Sequence, residues 1–106
     1  EDSWVCFDFK ERKVKITNYS IKSYKSNSGH LKSWDINVSN DGVNWIRIDE
    51  RRNCSTLNGS GFTGTFDVQL NDFSRYVRIH QTGKPWGNGS RNLWFYYMEF
   101  YGFLQE

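Results

Sequence analysis

Proline occurs once, at Pro85, and methionine once, at Met98, while leucine and alanine are scarce in this 106-residue chain. The residues that favour helices are under-represented, which argues against a helical fold. No stretch approaches the roughly 20 apolar residues that cross a bilayer as a helix, and no basic, apolar, small-residue signal segment stands at the start. A soluble chain is the expectation. The formal charge of +2 and a pI near 8.6 are too mild to imply nucleic acid, which calls for Lys and Arg clustered on one face. Cysteine is equally sparse: Cys6 and Cys54 are the only thiols, too few for the dense framework of a small secreted scaffold. Cys6 reads as a small hydrophobe in a strand pattern and Cys54 as a loop thiol, with a disulfide between them the lesser alternative. Asn-x-Ser tripeptides at Asn18, Asn37, Asn53, Asn58 and Asn88 arise by chance in an Asn- and Ser-rich sequence. These features lean towards an intracellular, cytoplasmic protein.

The groups that carry catalysis are missing as well. His30 and His80 are the only histidines, and neither stands at a spacing to a nucleophile or carboxylate that suggests a triad. No nucleophile elbow, paired-acid motif or phosphate loop occurs, so an enzyme is not expected. Zinc would need clustered Cys and His. No cofactor is expected; calcium is the one alternative to name, through Asp41, Asp49 and backbone carbonyls, and the scatter of the carboxylates argues against it. Only Trp86 and Leu57 interrupt the loops as apolar spikes, so insertion into a membrane surface has little support.

What the chain does have is aromatic residues, 18% of the total, a composition that suits pleated surfaces. At this length one domain, residues 1–106, is expected. Along residues 62–70 the even positions Phe62, Phe66, Val68 and Leu70 are apolar and the odd positions polar, the pattern of a strand with one buried face. Trp34, Ile36 and Val38 alternate with Asp35, Asn37 and Ser39, then run into Asn40-Asp41-Gly42, residues that tolerate the positive φ of a hairpin turn. Trp45, Ile46 and Ile48 begin the return strand. Further strands are expected at residues 4–9, 14–24, 75–81 and 93–103. In the last of these Glu99 needs the sheet edge or a basic partner, with Arg75 and Arg78 as candidates. About six strands separated by turn signals give an all-β sandwich. Three polar, Gly/Asn/Ser-rich segments, 25–33, 49–61 and 82–92, separate the strands, and in such folds function is carried there.

Several of these residues resemble a known family. The run Leu31-Lys32-Ser33-Trp34-Asp35-Ile36-Asn37-Val38-Ser39-Asn40-Asp41-Gly42-Val43-Asn44-Trp45 looks like the tryptophan-flanked hairpin segment of discoidin domains, also called coagulation factor 5/8 type C domains. Ser74-Arg75-Tyr76-Val77-Arg78-Ile79 resembles an inner strand of that family and Met98-Glu99-Phe100-Tyr101-Gly102 its closing strand, while residues 4–9 are similar to an early one. The resemblance implies an antiparallel jelly-roll β-sandwich of the galactose-binding-like type, apparently lacking the usual N-terminal segment before residue 4. In physical terms Trp34 and Trp45 supply large apolar area, and both rings are expected in the core. His30-Leu31-Lys32-Ser33-Trp34, residues 49–58 and Arg78-Ile79-His80-Gln81-Thr82-Gly83 look closest to a subgroup found in multidomain intracellular proteins. That subgroup implies recognition of a protein partner, although Asn53, Asn58 and Thr82 can equally pin long loops through side-chain to backbone hydrogen bonds.

The candidate contact residues are Trp86, Arg91, Asn92, His30 and Lys84, in that order. A sugar site needs an aromatic face for C–H stacking with amide and guanidinium groups to fork onto hydroxyls, and the two outer polar segments offer that mix. Trp86, between Pro85 and Gly87, is either such a contact or a ring folded back over the end of the core. Three functions are open at this level: a non-catalytic module that recognises a protein partner, a lectin-like carbohydrate-binding or adhesion module of galactose type, and a structural domain that assembles through an exposed sheet edge as a homo-oligomer or by strand exchange.

Overall fold

The protein is described by a computed structural model covering residues 3–26, 29–87 and 95–105. Seven strands follow in chain order: β1 (Trp4–Asp8), β2 (Lys13–Lys22), β3 (Trp34–Ser39), β4 (Ile46–Arg51), β5 (Thr63–Asp67), β6 (Tyr76–Gln81) and β7 (Tyr97–Gln105). They form two antiparallel sheets, one of four strands in the order β1-β6-β3-β4 and one of three in the order β5-β2-β7. Among the described residues there is no helix. The all-β sandwich expected from the alternating sequence, in the jelly-roll form that the family resemblance implies, is the fold.

The alternation places the core. In the four-stranded sheet Trp34 lies opposite Gln81, Ile36 opposite Ile79 and Val38 opposite Val77, so one face carries the apolar set that period-2 pleating demands. From the other sheet Val14, Ile16, Tyr19, Ile21 and Phe66 meet it. Between Ile36 and Asn37 the pairing with β4 slips by one residue, which turns both Ile48 and Asp49 inward. The buried Asp49 carboxylate is satisfied there: Tyr19 donates its hydroxyl to Oδ2 at 2.5 Å, Arg51 bonds the same oxygen at 3.0 Å, and Trp34 Nε1 donates to the Tyr19 oxygen at 2.7 Å. Burial, reinforced by the neighbouring Asp49 carboxylate, holds the Tyr19 hydroxyl protonated far above its usual range. A second slip, between Ile16 and Asn18 in the β2–β7 pair, brings Gly102 so near β2 that a Cβ there would lie 2.0 Å from the Lys15 carbonyl oxygen.

Several sequence expectations are corrected. The strand expected over 62–70 is limited to Thr63–Asp67, and Leu70 is 92% exposed. Beyond Asp67 the chain leaves the sheet edge: Val68 N donates to Thr17 O and Gln69 N to Ile48 O, a crossing between sheets that turns Leu70 outward. Trp45 is outside the core, half-buried on the outer face of the four-stranded sheet. It falls in the turn before β4, where Arg78 stacks its guanidinium 4.1 Å from the ring centre. Glu99 pairs with neither arginine; Tyr101 donates its hydroxyl to it at 2.8 Å, and Arg75 instead holds Asp8. Cys6 and Cys54 are free thiols, Cys6 half-buried and raised in pKa first by that burial and then by the Asp8 carboxylate. The two carboxylates named for calcium are both engaged. Asp41 accepts from the Val43 and Asn44 amides at 2.8 Å each, and Asp49 is closed within the core as above.

Candidate functional site

Because strand direction alternates along the chain, the segments between strands collect at two ends. Residues 9–12, 40–45 and 68–75 lie at one, the turn end; of the described residues, 23–26, 29–33, 52–62, 82–87 and 95–96 lie at the other, the loop end. At the loop end the three segments are tied together by main-chain bonds. Gly29 N donates to Trp86 O at 3.0 Å and Trp86 N to His30 O at 3.0 Å, a short antiparallel pairing of two segments with no strand between them. Cys54 N donates to Lys32 O at 2.8 Å, Thr82 N to Ser33 O at 3.0 Å, and Asn53 N to Ser33 Oγ at 3.0 Å. Ser33, rather than the Asn53, Asn58 or Thr82 side chains, is the residue that joins all three.

This framework sets the candidate residues. The Trp86 indole N–H points inward and donates to Cys54 O at 2.9 Å, while the Lys32 ammonium lies 4.4 Å over the ring centre. The ring is half-buried, with its polar edge tied down and one face under a cation. His30 is only 4% exposed, so it supports the Trp86 segment from beneath rather than facing solvent. Lys84 is exposed, two residues before Trp86. Trp86, His30 and Lys84 are thus brought to one place, whereas Arg91 and Asn92 lie outside the described residues. Gln81 Oε1 and Thr82 Oγ1, at the root of the same segment, are buried with no hydrogen-bond partner among the described residues.

Beside this framework, where β2 ends and β7 begins, Lys22, Tyr24, Lys25 and Tyr96 line an open cleft of about 270 Å³. Tyr96 N donates to Lys22 O at 2.7 Å, which fixes the backbone that carries the ring, and the Lys22 ammonium lies 5.5 Å from the ring centre. Sequence reading missed these residues, because Tyr96 fell within an expected strand and Tyr24 at the end of another. The signal that marks them is charge: the three loop-end segments contain no Asp or Glu.

Two other surfaces carry apolar area. On the outer face of the four-stranded sheet Arg78 lies 4.1 Å from the Trp45 ring centre and 6.0 Å from that of Trp4, itself 57% exposed. Along the free edge of β7, Phe9, Ile16, Phe100, Phe103 and Leu104 line a shallow apolar groove of about 230 Å³. Among the described residues no three His, Cys, Asp or Glu side chains are grouped to hold a metal ion, and no helix is long and apolar enough to cross a membrane.

The sequence pattern of the F5/8 type C domain matches residues 1–97. The chain belongs to the F5/8 type C, or discoidin, domain family. Comparison with curated proteins gives no match. Among solved structures this F5/8 type C domain is similar to CpGH89CBM32-6 produced by Clostridium perfringens, with a TM-score of 0.65 and 21% identity over 96% of this chain and 70% of that one. It is also similar to CpGH89CBM32-5 from Clostridium perfringens, solved in complex with GalNAc-β-1,3-galactose, with a TM-score of 0.61 and 17% identity over 79% of this chain and 58% of that one. At these identities the likeness shows the fold alone, the two-sheet sandwich described above.

Proposed function

We propose that this F5/8 type C domain is a non-catalytic carbohydrate-binding module that works through its loop end. The observation that carries the reading is the conjunction there of aromatic rings and polar groups on a surface held by main-chain bonds. Tyr96 is 64% exposed, Tyr24 lies beside it, and Trp86 is half-buried in the neighbouring segment. Rings of this kind take the C–H face of a pyranose, and the lysines around them offer donors to its hydroxyls. The GalNAc-β-1,3-galactose bound by the second neighbour supports the same ligand class. Among the described residues no carboxylate, such as sugar hydrolysis uses in pairs, lines the cleft, which is why binding without turnover is the reading.

A glycan array tests it. Saturable binding to a galactose-type glycan is the expected result, weakened roughly tenfold or more in Tyr96→Ala and in Trp86→Ala, given that an aromatic contact is worth on the order of 1–3 kcal/mol. No signal from any glycan at high protein concentration overturns the proposal.

One observation favours a protein partner as the second reading. The outer-face array of Trp4, Arg78 and Trp45 has the residue types that dominate protein–protein hot spots. A partner lost in Trp4→Ala and retained in Tyr96→Ala marks that face as the functional one.

A further inference from the structure

We infer that the saccharide taken by the loop end is an acidic one, a sugar bearing a carboxylate or a sulfate; this rests on the carbohydrate reading above and adds the charge of the ligand. The starting point is where the charges lie. The described loop-end residues, 23–26, 29–33, 52–62, 82–87 and 95–96, contain four cations, Lys25, Lys32, Arg52 and Lys84, and no acid. Residues 9–12, 40–45 and 68–75 contain three acids, Glu11, Asp41 and Asp72, against three cations, Lys10, Arg12 and Arg75. A chain of net charge +2 therefore concentrates its positive excess at one end.

That excess is not neutralised within the fold. Arg52 is engaged, 3.0 Å from Asp35 and 2.7 Å from Glu50. Among the described residues none of Lys22, Lys25, Lys32 and Lys84 has a carboxylate within ion-pair distance. Lys22 and Lys32 are held on ring faces instead, over Tyr96 and Trp86. An ammonium on an aromatic face keeps its charge and its donors. The cleft thus presents Lys22 and Lys25 together with no acid in its lining, two like charges whose repulsion an anion relieves. A neutral sugar hydroxyl exchanges one hydrogen bond to water for another. A carboxylate or sulfate gains charge-assisted bonds, and the acid-free end draws it in.

The rings of Tyr24 and Tyr96 argue for a saccharide over a bare anion, since they match the apolar face of a pyranose. A lipid surface fits less well: Leu31 and Leu57, the leucines of the described loop-end residues, are buried, so among the described residues no aliphatic tip is presented for insertion. The small overall charge disfavours a polynucleotide.

Isothermal titration of the chain with trigalacturonic acid, a sulfated galactan oligosaccharide and neutral galactotriose, at low and at high salt, tests the inference. At least one acidic probe is expected to bind about tenfold tighter than galactotriose at roughly 50 mM salt, with the ratio falling severalfold near 500 mM. Which acidic probe binds separates carboxylate from sulfate. Lys22→Gln/Lys25→Gln lowers the ratio of acidic to neutral affinity towards one, whereas Arg12→Gln/Lys13→Gln, an equal loss of charge at the turn end, preserves it. Lys25→Gln alone, at an exposed position, serves if the double variant does not fold. Equal affinity for the acidic and neutral probes overturns the inference and leaves the carbohydrate reading standing. Failure of every saccharide overturns both, as does tighter binding to phosphatidylserine vesicles or a short single-stranded oligonucleotide.

Discussion

The turn end and the loop end of this sandwich are made from similar residues, Asn, Ser, Gly and short charged stretches, and use them differently. At the turn end side chains close on the backbone. Asp41 accepts from two amides and from Ser39 and Asn44 side chains. Asn71 bonds both Ile16 N and Ile16 O as well as Gln69 O. Polar groups so used are no longer offered to a ligand. At the loop end the segments are tied largely by main-chain bonds between residues 29–30 and 86, 32 and 54, and 33 and 82. Lys25, Lys84 and the ring of Tyr96 are left at the surface. Where the backbone supplies the order, side chains are released for recognition.

The first way to break this contrast is to remove what the two ends share. Trp34 begins β3 at the loop end but is fully buried in the common core. Trp34→Ala is expected to cost about 3–5 kcal/mol in denaturant unfolding, through the cavity and the loss of its bond to Tyr19. Loss of protection at both ends in hydrogen exchange accords with one cooperative core; loss at the loop end alone shows that the ends melt separately.

Asn71→Ala acts on the turn end. It leaves Ile16 N and O without their partner and is expected to cost roughly 1–3 kcal/mol, with glycan affinity unchanged. A variant that loses binding along with stability contradicts the separation of roles. Trp86→Phe is the loop-end counterpart, deleting the indole N–H that bonds Cys54 O. About 0.5–1.5 kcal/mol is expected, seen as faster amide exchange at Gly29 and Trp86 with the Ile16 amide unaffected.

The smallest effect is electrostatic. Hydrogen bonds from the Asn44 and then the Val43 amide hold the Asp41 carboxyl well below the usual carboxylate range, and the hydrogen-bonded Arg75 guanidinium lowers that of Asp8. A depressed folded-state pKa stabilises at pH above the unfolded value, near 3.8 for these groups, and that stabilisation is lost as pH falls towards the folded value. Stability is therefore expected to decline below about pH 4, and the decline to be shallower in Asp41→Asn. The loop-end segments, free of acids, contribute nothing to it.

How much of this was legible beforehand follows the same division. Period-2 alternation marked β3 and β5, and Asn40-Asp41-Gly42 marked the hairpin, because these are local effects of pleating and turn chemistry. Trp45 was misplaced because the β4 bulge, a pairing event that alternation in one strand does not reveal, changes which residues turn inward. Leu70 was misplaced because the chain there bridges two sheets. At the site, His30, Lys84 and Trp86 were found as polar-loop residues, yet the burial of His30 and the inward bond of Trp86 depend on a pairing between segments more than 50 positions apart in the chain. The Tyr24–Tyr96 cleft is likewise a product of the β2–β7 pairing. Only the absence of acids from three separate segments was there to be counted.

The separation of the two ends is tested most directly by titrating isotope-labelled protein with N-acetylgalactosamine and with galacturonic acid while following amide chemical shifts. The account expects perturbations at Lys22, Tyr24, Lys25, Lys32, Trp86 and Tyr96, larger for the acid, with Asp41, Asn71 and Ser74 silent. Perturbations centred on Trp4, Trp45 and Arg78, or spread evenly over both ends, would contradict it.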